Sequence, residues 1–254
     1  MLADQRREEI VELLRENGSC RVSELAKIFN MTEQTIRQDL ETLEKLKVVK
    51  RQHGGASISN YSSFAGSIQL ERRTHMEEKQ KIGEVAASYV KSGDSLILDS
   101  GTTVTEMAKH LVNLKNLKIV TPSLNLTLIL GKEPTNSIVM TGGEFKAPTL
   151  SLTGIQASAI FDNLYVEKLF LATGGFSLNS GLSYPSFSDI PLKKAMIESA
   201  KIVYLLADSS KLELLQFASL GNIENIKYLI TDDKVKPDYV EKLQNIGITT
   251  IIAK

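Results

Sequence analysis

Residues 23–56 read SELAKIFNMTEQTIRQDLETLEKLKVVKRQHGGA, and they divide into two short helices joined by a tight turn, then a basic hairpin. Ser23 is placed to cap the first helix, which turns Leu25, Ala26, Ile28 and Phe29 inward. Asn30-Met31 makes the turn. Thr32 caps the next helix, and Glu33 sits in its first turn, where an acid complements the helix dipole. Ile36, Leu40, Leu43 and Lys47 share one stripe of that helix, and the opposite face carries Gln34, Gln38, Glu41 and Lys45, flanked by Thr35 and Arg37. Gln can pair with adenine and Arg with guanine in the major groove, so this face has the chemistry of a base-reading helix.

Working outward, residues upstream form a first helix with Ile10, Val11, Leu13 and Leu14 at helical spacing, capped by Asp4 and ended by Gly18. Downstream, Val48 to Gly55 alternates apolar and polar residues before two glycines, the pattern of a small β-wing. Lys45, Lys47, Lys50, Arg51 and His53 form a run with no acid among them. Over residues 1–57 the ten basic residues are matched by ten acids, so only the placement of charge, not its sum, supports a nucleic-acid partner. Three amphipathic helices could also serve protein assembly; the exposed Gln/Thr/Arg face and the basic wing favour double-stranded DNA, read through Thr32, Gln34, Thr35, Arg37, Gln38, Lys50, Arg51 and His53.

The stretch TIRQDLETLEKLKVVKRQHGGA closely resembles the DeoR-type winged helix-turn-helix signature, TIRRDL…LE…G…R.HGGA. It departs from that signature at Gln38, where arginine is usual, and at Lys47, where glycine is usual.

The chain has 254 residues, 42% of them hydrophobic, enough for two domains with real cores. Its net charge is zero, and its one cysteine, Cys20, rules out an internal disulfide and reads as a small packed residue. No run approaches the roughly 18 apolar residues of a membrane span. A charged helix in place of a signal peptide points to the cytoplasm. His53, His75 and His110 are scattered, and no cysteine–histidine spacing suggests a metal.

The expected divisions are a DNA-binding domain at 1–57, a linker and the start of a connecting helix at 58–74, and an effector-sensing domain at 75–254. Ser and Gly crowd residues 57–67; a helix then runs from about Ile68 to Val90, with Arg72, Arg73, Glu77, Glu78, Lys79 and Lys81 solvated and Ile82, Val85, Ala86, Tyr89 and Val90 packed. Strands are expected at Leu96–Leu98, Lys118–Val120, Ile138–Met140, Lys168–Ala172, Val203–Leu206, Tyr228–Ile230 and Ile248–Ile252. Helices are expected near Thr105–Val112, Leu124–Leu130, Leu152–Phe161, Leu192–Ala200 and Asp238–Gln244. That alternation predicts a mainly parallel, Rossmann-like α/β sheet covered on both faces.

Five strands end in small polar residues: DSGTT at 99–103, TPSLN at 121–125, TGG at 141–143 and at 173–175, and ADSSK at 207–211. Ligands of open α/β sheets bind outside the carboxyl ends of the strands. Ser100, Gly101, Thr102 and Thr103 stand where strand passes into helix, a cradle for an anion on backbone N–H groups and hydroxyls. Neither GxxxxGK[ST] nor GxGxxG occurs, so a small phosphate ester fits better than a nucleotide cofactor. Each piece also has a plain reading: the TGG stretches as tight turns, Lys193, Lys194 and Lys211 as solvated cations, Asp99 and Asp208 as helix caps.

From about Lys79 to Ala253 the chain resembles the DeoR-type sensor domain, related in fold to sugar-phosphate isomerases, through LILDSGTTVTEMAKHL, IVTPSLNL, VMTGGEF, LTGIQA, KLFLATGGF, LKKAMIESAKIVYLLADSSK and ITDD. The resemblance implies a transcription regulator, a repressor of a carbohydrate-utilisation operon, acting as a dimer or tetramer without cofactor or catalytic residues. It implies a phosphorylated sugar or polyol effector held by Ser100, Gly101, Thr102 and Thr103, with Asp99 facing its hydroxyls and Ser123, Asn125, Gly142, Gly143, Lys193 and Lys211 around it. Pro122, Asp189 and Glu167 stand where Asn, Glu and Asp are usual, and all three are expected near the site. The rival reading is an isomerase-like enzyme using Asp99, Asp208, Lys193 and Lys211 for acid–base chemistry, with an amino-terminal assembly module.

Overall fold

The computed structural model describes residues 3–17, 19–46, 48–52, 54–58, 74–147, 149–221 and 223–254, in two compact units, Met1–Met76 and Glu77–Lys254. The expected helix end at Gly18, the stripe residue Lys47, the wing residue His53, the linker from 59 to 67, and Ile68, Arg72 and Arg73 lie outside the described residues.

In the smaller unit α1 (Ala3–Asn17), β1 (Ser19–Arg21), α2 (Val22–Ile28), α3 (Glu33–Lys45), β2 (Val49–Gln52) and β3 (Gly55–Ile58) follow one another. Ile10, Val11, Leu14, Leu25, Phe29, Ile36, Leu40, Leu43, Val48 and Val49 pack into one core, so the periodic stripes found their partners. Asn30 takes the left-handed turn at φ 50°, a conformation asparagine tolerates, and the Thr32 hydroxyl accepts the Thr35 N–H at 3.1 Å to start α3. The strands form an antiparallel sheet in the order β1-β3-β2. Strand β1 had no sequence signal: three residues carry no periodicity, and only pairing with β3 makes Ser19–Arg21 a strand.

Three local expectations are corrected. Asp4 lies inside α1, paired with Arg7 at 2.9 Å, rather than capping it. Helix α2 begins at Val22, one residue before Ser23, because the Glu24 carboxylate accepts the Arg21 N–H at 3.0 Å. Ile28 is 59% exposed, so α2 buries a narrower face than its apolar content suggested.

The deepest polar feature of the unit is Asp39, on α3, which is 1% exposed and accepts from Arg6 Nε at 2.6 Å and Arg7 Nε at 2.9 Å. These bonds clamp α1 to α3, the helix whose outer face is expected to meet DNA. Arg6 is itself buried, so neither charge has bulk water to fall back on.

The larger unit runs α4 (Met76–Ala87), β4 (Ser95–Leu98), α5 (Thr102–His110), β5 (Lys118–Thr121), α6 (Leu124–Leu130), β6 (Ser137–Met140), a hairpin of β7 (Glu144–Lys146) and β8 (Ser151–Thr153), and the short α7 (Ile155–Ser158). It continues with β9 (Val166–Ala172), β10 (Gly175–Ser177), β11 (Gly181–Tyr184), α8 (Ile190–Glu198), β12 (Ala200–Leu206), β13 (Ala218–Gly221), β14 (Ile226–Asp232), α9 (Pro237–Asn245) and β15 (Thr249–Ala253). The seven expected strands form one parallel sheet in the order β15-β14-β12-β9-β4-β5-β6. Alternation along each strand feeds two cores: Leu96, Leu98 and Phe170 pack with α4, α5 and α6, while Ile97, Leu169 and Leu171 pack with α8 and α9.

The helix expected to reach Val90 is corrected: α4 covers only Met76–Ala87, with turns at 74–75, where His75 has φ 52°, and at 88–89, and the remaining departures are mostly in short irregular segments. Leu152 belongs to β8, so the helix expected over Leu152–Phe161 shrinks to α7 and a 3-10 turn at Ala159–Asn163. The β7–β8 hairpin and an antiparallel β10-β11-β13 sheet add strands too short for periodicity to reveal. Lys79, expected in water, is 2% exposed inside α4's packed face.

Removing the Asp39 carboxylate strands two guanidiniums against the α1–α3 seam. In calorimetry of the full chain, Asp39→Ala lowers the stability of the amino-terminal unit by about 3–5 kcal/mol; an unmoved transition would show that the clamp carries no stability.

Candidate functional site

Two surfaces carry the chemistry. On the smaller unit, Gln34, Arg37, Gln38, Glu41 and Lys45 are exposed along the outer face of α3, with Thr32 exposed at its cap and Thr35 half-buried. Lys50 and Arg51 are exposed on β2. Gly55 is required where the wing crosses β1, because a Cβ there would lie 2.5 Å from the Cys20 carbonyl oxygen. The cations do not stand alone. Arg37 Nη2 is 2.5 Å from Glu33 Oε2, and Lys45 Nζ is 2.9 Å from Glu41 Oε1. The acid-free run read along the chain is met in space by Glu44, whose carboxylate accepts the Arg51 N–H at 2.9 Å and lies 3.9 Å from Arg51 Nη1. The hydrogen bond from Lys45 also lowers the Glu41 pKa below the ordinary carboxylate value.

The second surface is the carboxyl edge of the parallel sheet. The chain lays β4, β5 and β6 outward in one direction, then returns to place β9 on the other side of β4 and runs β12, β14 and β15 the opposite way. The switch in order falls between β4 and β9, and the loops after those two strands, 99–103 and 173–175, flank the crevice such a switch creates. Loops 121–125 and 141–143 follow β5 and β6 on one side, and 207–211 follows β12 on the other.

Ser100, Gly101 and Thr102 are half-buried in the first of these loops, and Thr103 is buried. Gly101 stands at the cap position of α5 and supplies no side-chain acceptor, so the first-turn N–H groups keep their outward direction and the dipole behind them. A Cβ at Gly101 would come within 2.7 Å of the Ala172 Cβ, so contact with β9 demands glycine there. The Ser100 N–H is already taken by Asp99 Oδ1 at 2.6 Å, which leaves the cradle to the residues after it.

Asp99 does not face the crevice as expected. It is fully buried, its Oδ1 also receives Lys193 Nζ, and its Oδ2 accepts the Ala172 N–H at 3.0 Å. Both oxygens are spent fastening the end of β4 to the end of β9 and to α8, so the carboxylate positions the loop instead of touching ligand hydroxyls. Lys193, also buried, gives its charge to Asp99 and lies 5.3 Å from the centre of the Tyr184 ring. The Tyr184 hydroxyl donates to the Ala172 carbonyl at 3.0 Å. Burial, then the charges of Asp99 and Asp189, push its pKa well above the usual tyrosine value, which keeps it a donor.

The other expected residues are distributed as follows. Ser123 is buried and caps α6 by accepting the Leu126 N–H at 3.3 Å, with Asn125 half-buried in the first turn. Asp208 caps the turn Ser209–Lys211 by accepting the Ser210 N–H at 3.2 Å, and Lys211 is half-buried there. Gly142 and Gly143 are exposed past β6; at Gly143, with φ +102°, a Cβ would sit 2.6 Å from the Thr153 carbonyl, so the hairpin passes close over it. Lys194 is exposed, a solvated cation near Glu198. Glu167 is corrected outright: it lies at the amino end of β9, accepting the Ser95 N–H at 3.2 Å, at the opposite edge of the sheet.

Sequence reasoning missed Lys146 and Tyr184. Lys146 Nζ bonds both oxygens of Asp189 at 2.7 and 2.8 Å, which ties the hairpin to the start of α8, one helical turn before Lys193. Nothing in EFK at 144–146 separates this lysine from a surface one. Among the described residues no group of three or more His, Cys, Asp or Glu could hold a metal ion, and no helix is long and apolar enough to cross a membrane.

Residues 6–61 match the family described as DeoR-like helix-turn-helix domain, and residues 74–233 match the DeoR C terminal sensor domain. The chain is 39% identical over 248 residues to the uncharacterized HTH-type transcriptional regulator YulB of Bacillus subtilis, covering 96% of this chain and 95% of YulB. It is 30% identical over 254 residues to the regulator GolR of Listeria innocua, covering 100% of both chains. It is 31% identical over 235 residues to the lactose phosphotransferase system repressor of Streptococcus mutans, covering 91% of this chain and 93% of that one.

Lys193→Met leaves the Asp99 carboxylate buried without its cation and lowers the stability of the larger unit by about 3–5 kcal/mol in thermal unfolding. Adding Asp99→Asn to that variant recovers part of the loss; a double variant no more stable than the single one would show that the pair is not coupled.

Proposed function

The chain belongs to the DeoR family of transcriptional regulators, and from that premise we propose that it represses a carbohydrate-utilisation operon under the control of a phosphorylated sugar or sugar alcohol. One observation carries the reading: a single chain joins an exposed base-reading helix and basic wing to a parallel sheet whose switch point presents an uncapped helix start. The relative named for the lactose phosphotransferase system supports a sugar-related operon. Gln34, Arg37 and Gln38 read base edges, with Thr32 and Thr35 beside them, while Lys50 and Arg51 engage phosphates; His53 belongs with the wing cations.

The effector phosphate rests on the N–H groups and hydroxyls of Gly101, Thr102 and Thr103, with Ser100 at the rim and Lys211, half-buried in the turn after β12, on one side. Asn125, Gly142 and Gly143 border the other side, and Ser123 and Lys193 hold the frame. The protein acts as a cytoplasmic homo-oligomer that sets two copies of α3 on half-sites about one DNA turn apart. Effector changes operator binding only through its different affinity for two arrangements of the protein. The isomerase-like alternative loses support because Asp99 and Lys193 neutralise each other in a buried pair and Asp208 serves as a cap, which leaves the acid–base groups it needs already engaged.

By fluorescence anisotropy on the DNA upstream of its own gene, Arg37→Ala or Gln38→Ala weakens the specific site by about 1–3 kcal/mol and spares random duplex. Lys50→Ala and Arg51→Ala weaken all duplexes alike and flatten the salt dependence. Identical behaviour of the two sets would defeat the assignment of α3 to the groove.

For the sensor, phosphorylated sugars and polyols are screened by thermal shift, since a ligand of the native state raises its melting temperature. A true effector's shift shrinks in Thr102→Val. A shift that ignores this substitution places the phosphate elsewhere.

A further inference from the structure

A neutral DNA-binding unit poses a physical question: ten acids cancel ten bases over residues 1–57, yet non-specific affinity for DNA is almost wholly a matter of cations meeting phosphates. The acids are not all remote from the DNA face. Glu33 and Glu41 lie on the outer side of α3, one turn before Arg37 and Lys45, at 2.5 and 2.9 Å from them. Glu44 reaches across to β2, where it takes the Arg51 N–H at 2.9 Å and stands 3.9 Å from that residue's guanidinium. All six side chains are exposed. Three of the four cations assigned to α3 and β2 on this surface, Arg37, Lys45 and Arg51, are therefore each matched by an acid within reach; Lys50 completes the set.

The plain account is helix stabilisation, since Glu placed four residues before Lys or Arg supports a helix. That account is too small to explain the arrangement. Exposed pairs of this kind contribute at most about 0.5 kcal/mol; α3 already has its Thr32 cap and a buried stripe. Meanwhile an acid facing a polyanion has a definite cost. One unit charge about 6 Å from a phosphate in water is repelled by an energy worth about threefold in binding.

We propose that Glu33, Glu41 and Glu44 are specificity determinants of the DNA face: they suppress attraction to arbitrary duplex, so that binding is decided by the base-edge contacts of Gln34, Arg37 and Gln38. The inference rests on the DNA-binding reading above and adds the role of the acids to it. On random sequence, phosphate attraction is nearly all there is, and each acid subtracts from it in full. On the operator, Arg37 exchanges Glu33 for a guanine edge, and the bidentate contact made there offsets the lost pair. The acids thus cost the specific complex less than the non-specific one, and the ratio of the two affinities rises.

The test uses the full chain with Glu33→Gln, Glu41→Gln and Glu44→Gln, singly and combined, against a random-sequence duplex of about 30 base pairs by fluorescence anisotropy at several salt concentrations. Each single variant binds about threefold tighter at low salt, and the triple variant roughly thirtyfold tighter. The plot of log affinity against log salt steepens by up to about 0.9 for each cation released. A gain in affinity cannot arise from misfolding, and glutamine at 44 still offers an acceptor to the Arg51 N–H. Unchanged or weaker binding by variants of a wild type that does bind duplex overturns the proposal alone. No duplex binding by any form, at any salt, overturns the DNA-binding reading together with it.

Discussion

The switch point at the carboxyl edge of the larger unit is held by one buried carboxylate. Asp99 accepts from the Ser100 N–H, the Ala172 N–H and Lys193, and so pins the loop after β4, the end of β9 and helix α8 to a single point. A charge so deeply buried persists only when its oxygens are satisfied, and these are. The pinned loop is the one that delivers Gly101 and the start of α5, and the contact of Gly101 with Ala172 leaves no room for a side chain. The cradle is thus a consequence of strand pairing at the switch point: β4 and β9 must be neighbours before it exists.

Asp39 does the corresponding work in the smaller unit, where Arg6 and Arg7 hold it against α1. In both units a buried carboxylate bonded to basic side chains fixes an element, Asp39 with Arg6 and Arg7, and Asp99 with Lys193. On α3 and the wing, Arg37, Lys45 and Arg51 each lie near an acid, which on the proposed reading moderates attraction to arbitrary duplex and leaves more of the discrimination to base-edge contacts. At the sheet edge, backbone N–H groups and threonine hydroxyls remain at the start of α5, the groups to which the proposed effector phosphate is assigned.

The helices of the smaller unit and the seven strands of the sheet were legible in the sequence because their signals are local. Ile36, Leu40 and Leu43 fall at helical spacing and are buried together; LIL at 96–98 and LFLA at 169–172 are apolar runs of strand length and became neighbouring central strands. Thr32 announced its cap by chemistry that acts within three residues. Where the reading failed, the deciding contact was remote. Lys79 looked solvated among charged neighbours and is buried by tertiary packing. Asp99 looked available and is consumed by partners at 172 and 193. Glu167 looked close to the site because its strand ends there, although the residue itself begins that strand.

The sequence by itself determined the two-part organisation, the succession of the seven parallel strands, the outward face of α3 and the polar ends of five strands, since each follows from periodicity or capping within a few residues. Tertiary structure alone decided which strand ends meet, that Ser19–Arg21 pairs with β3, that Lys146 anchors the hairpin to Asp189, and that Glu44 crosses to the wing. These contacts depend on strand order and on desolvation of charges far apart in the chain. Neither quantity is written in a local pattern, because a lysine bound for water and a lysine bound for a buried carboxylate are spelled alike.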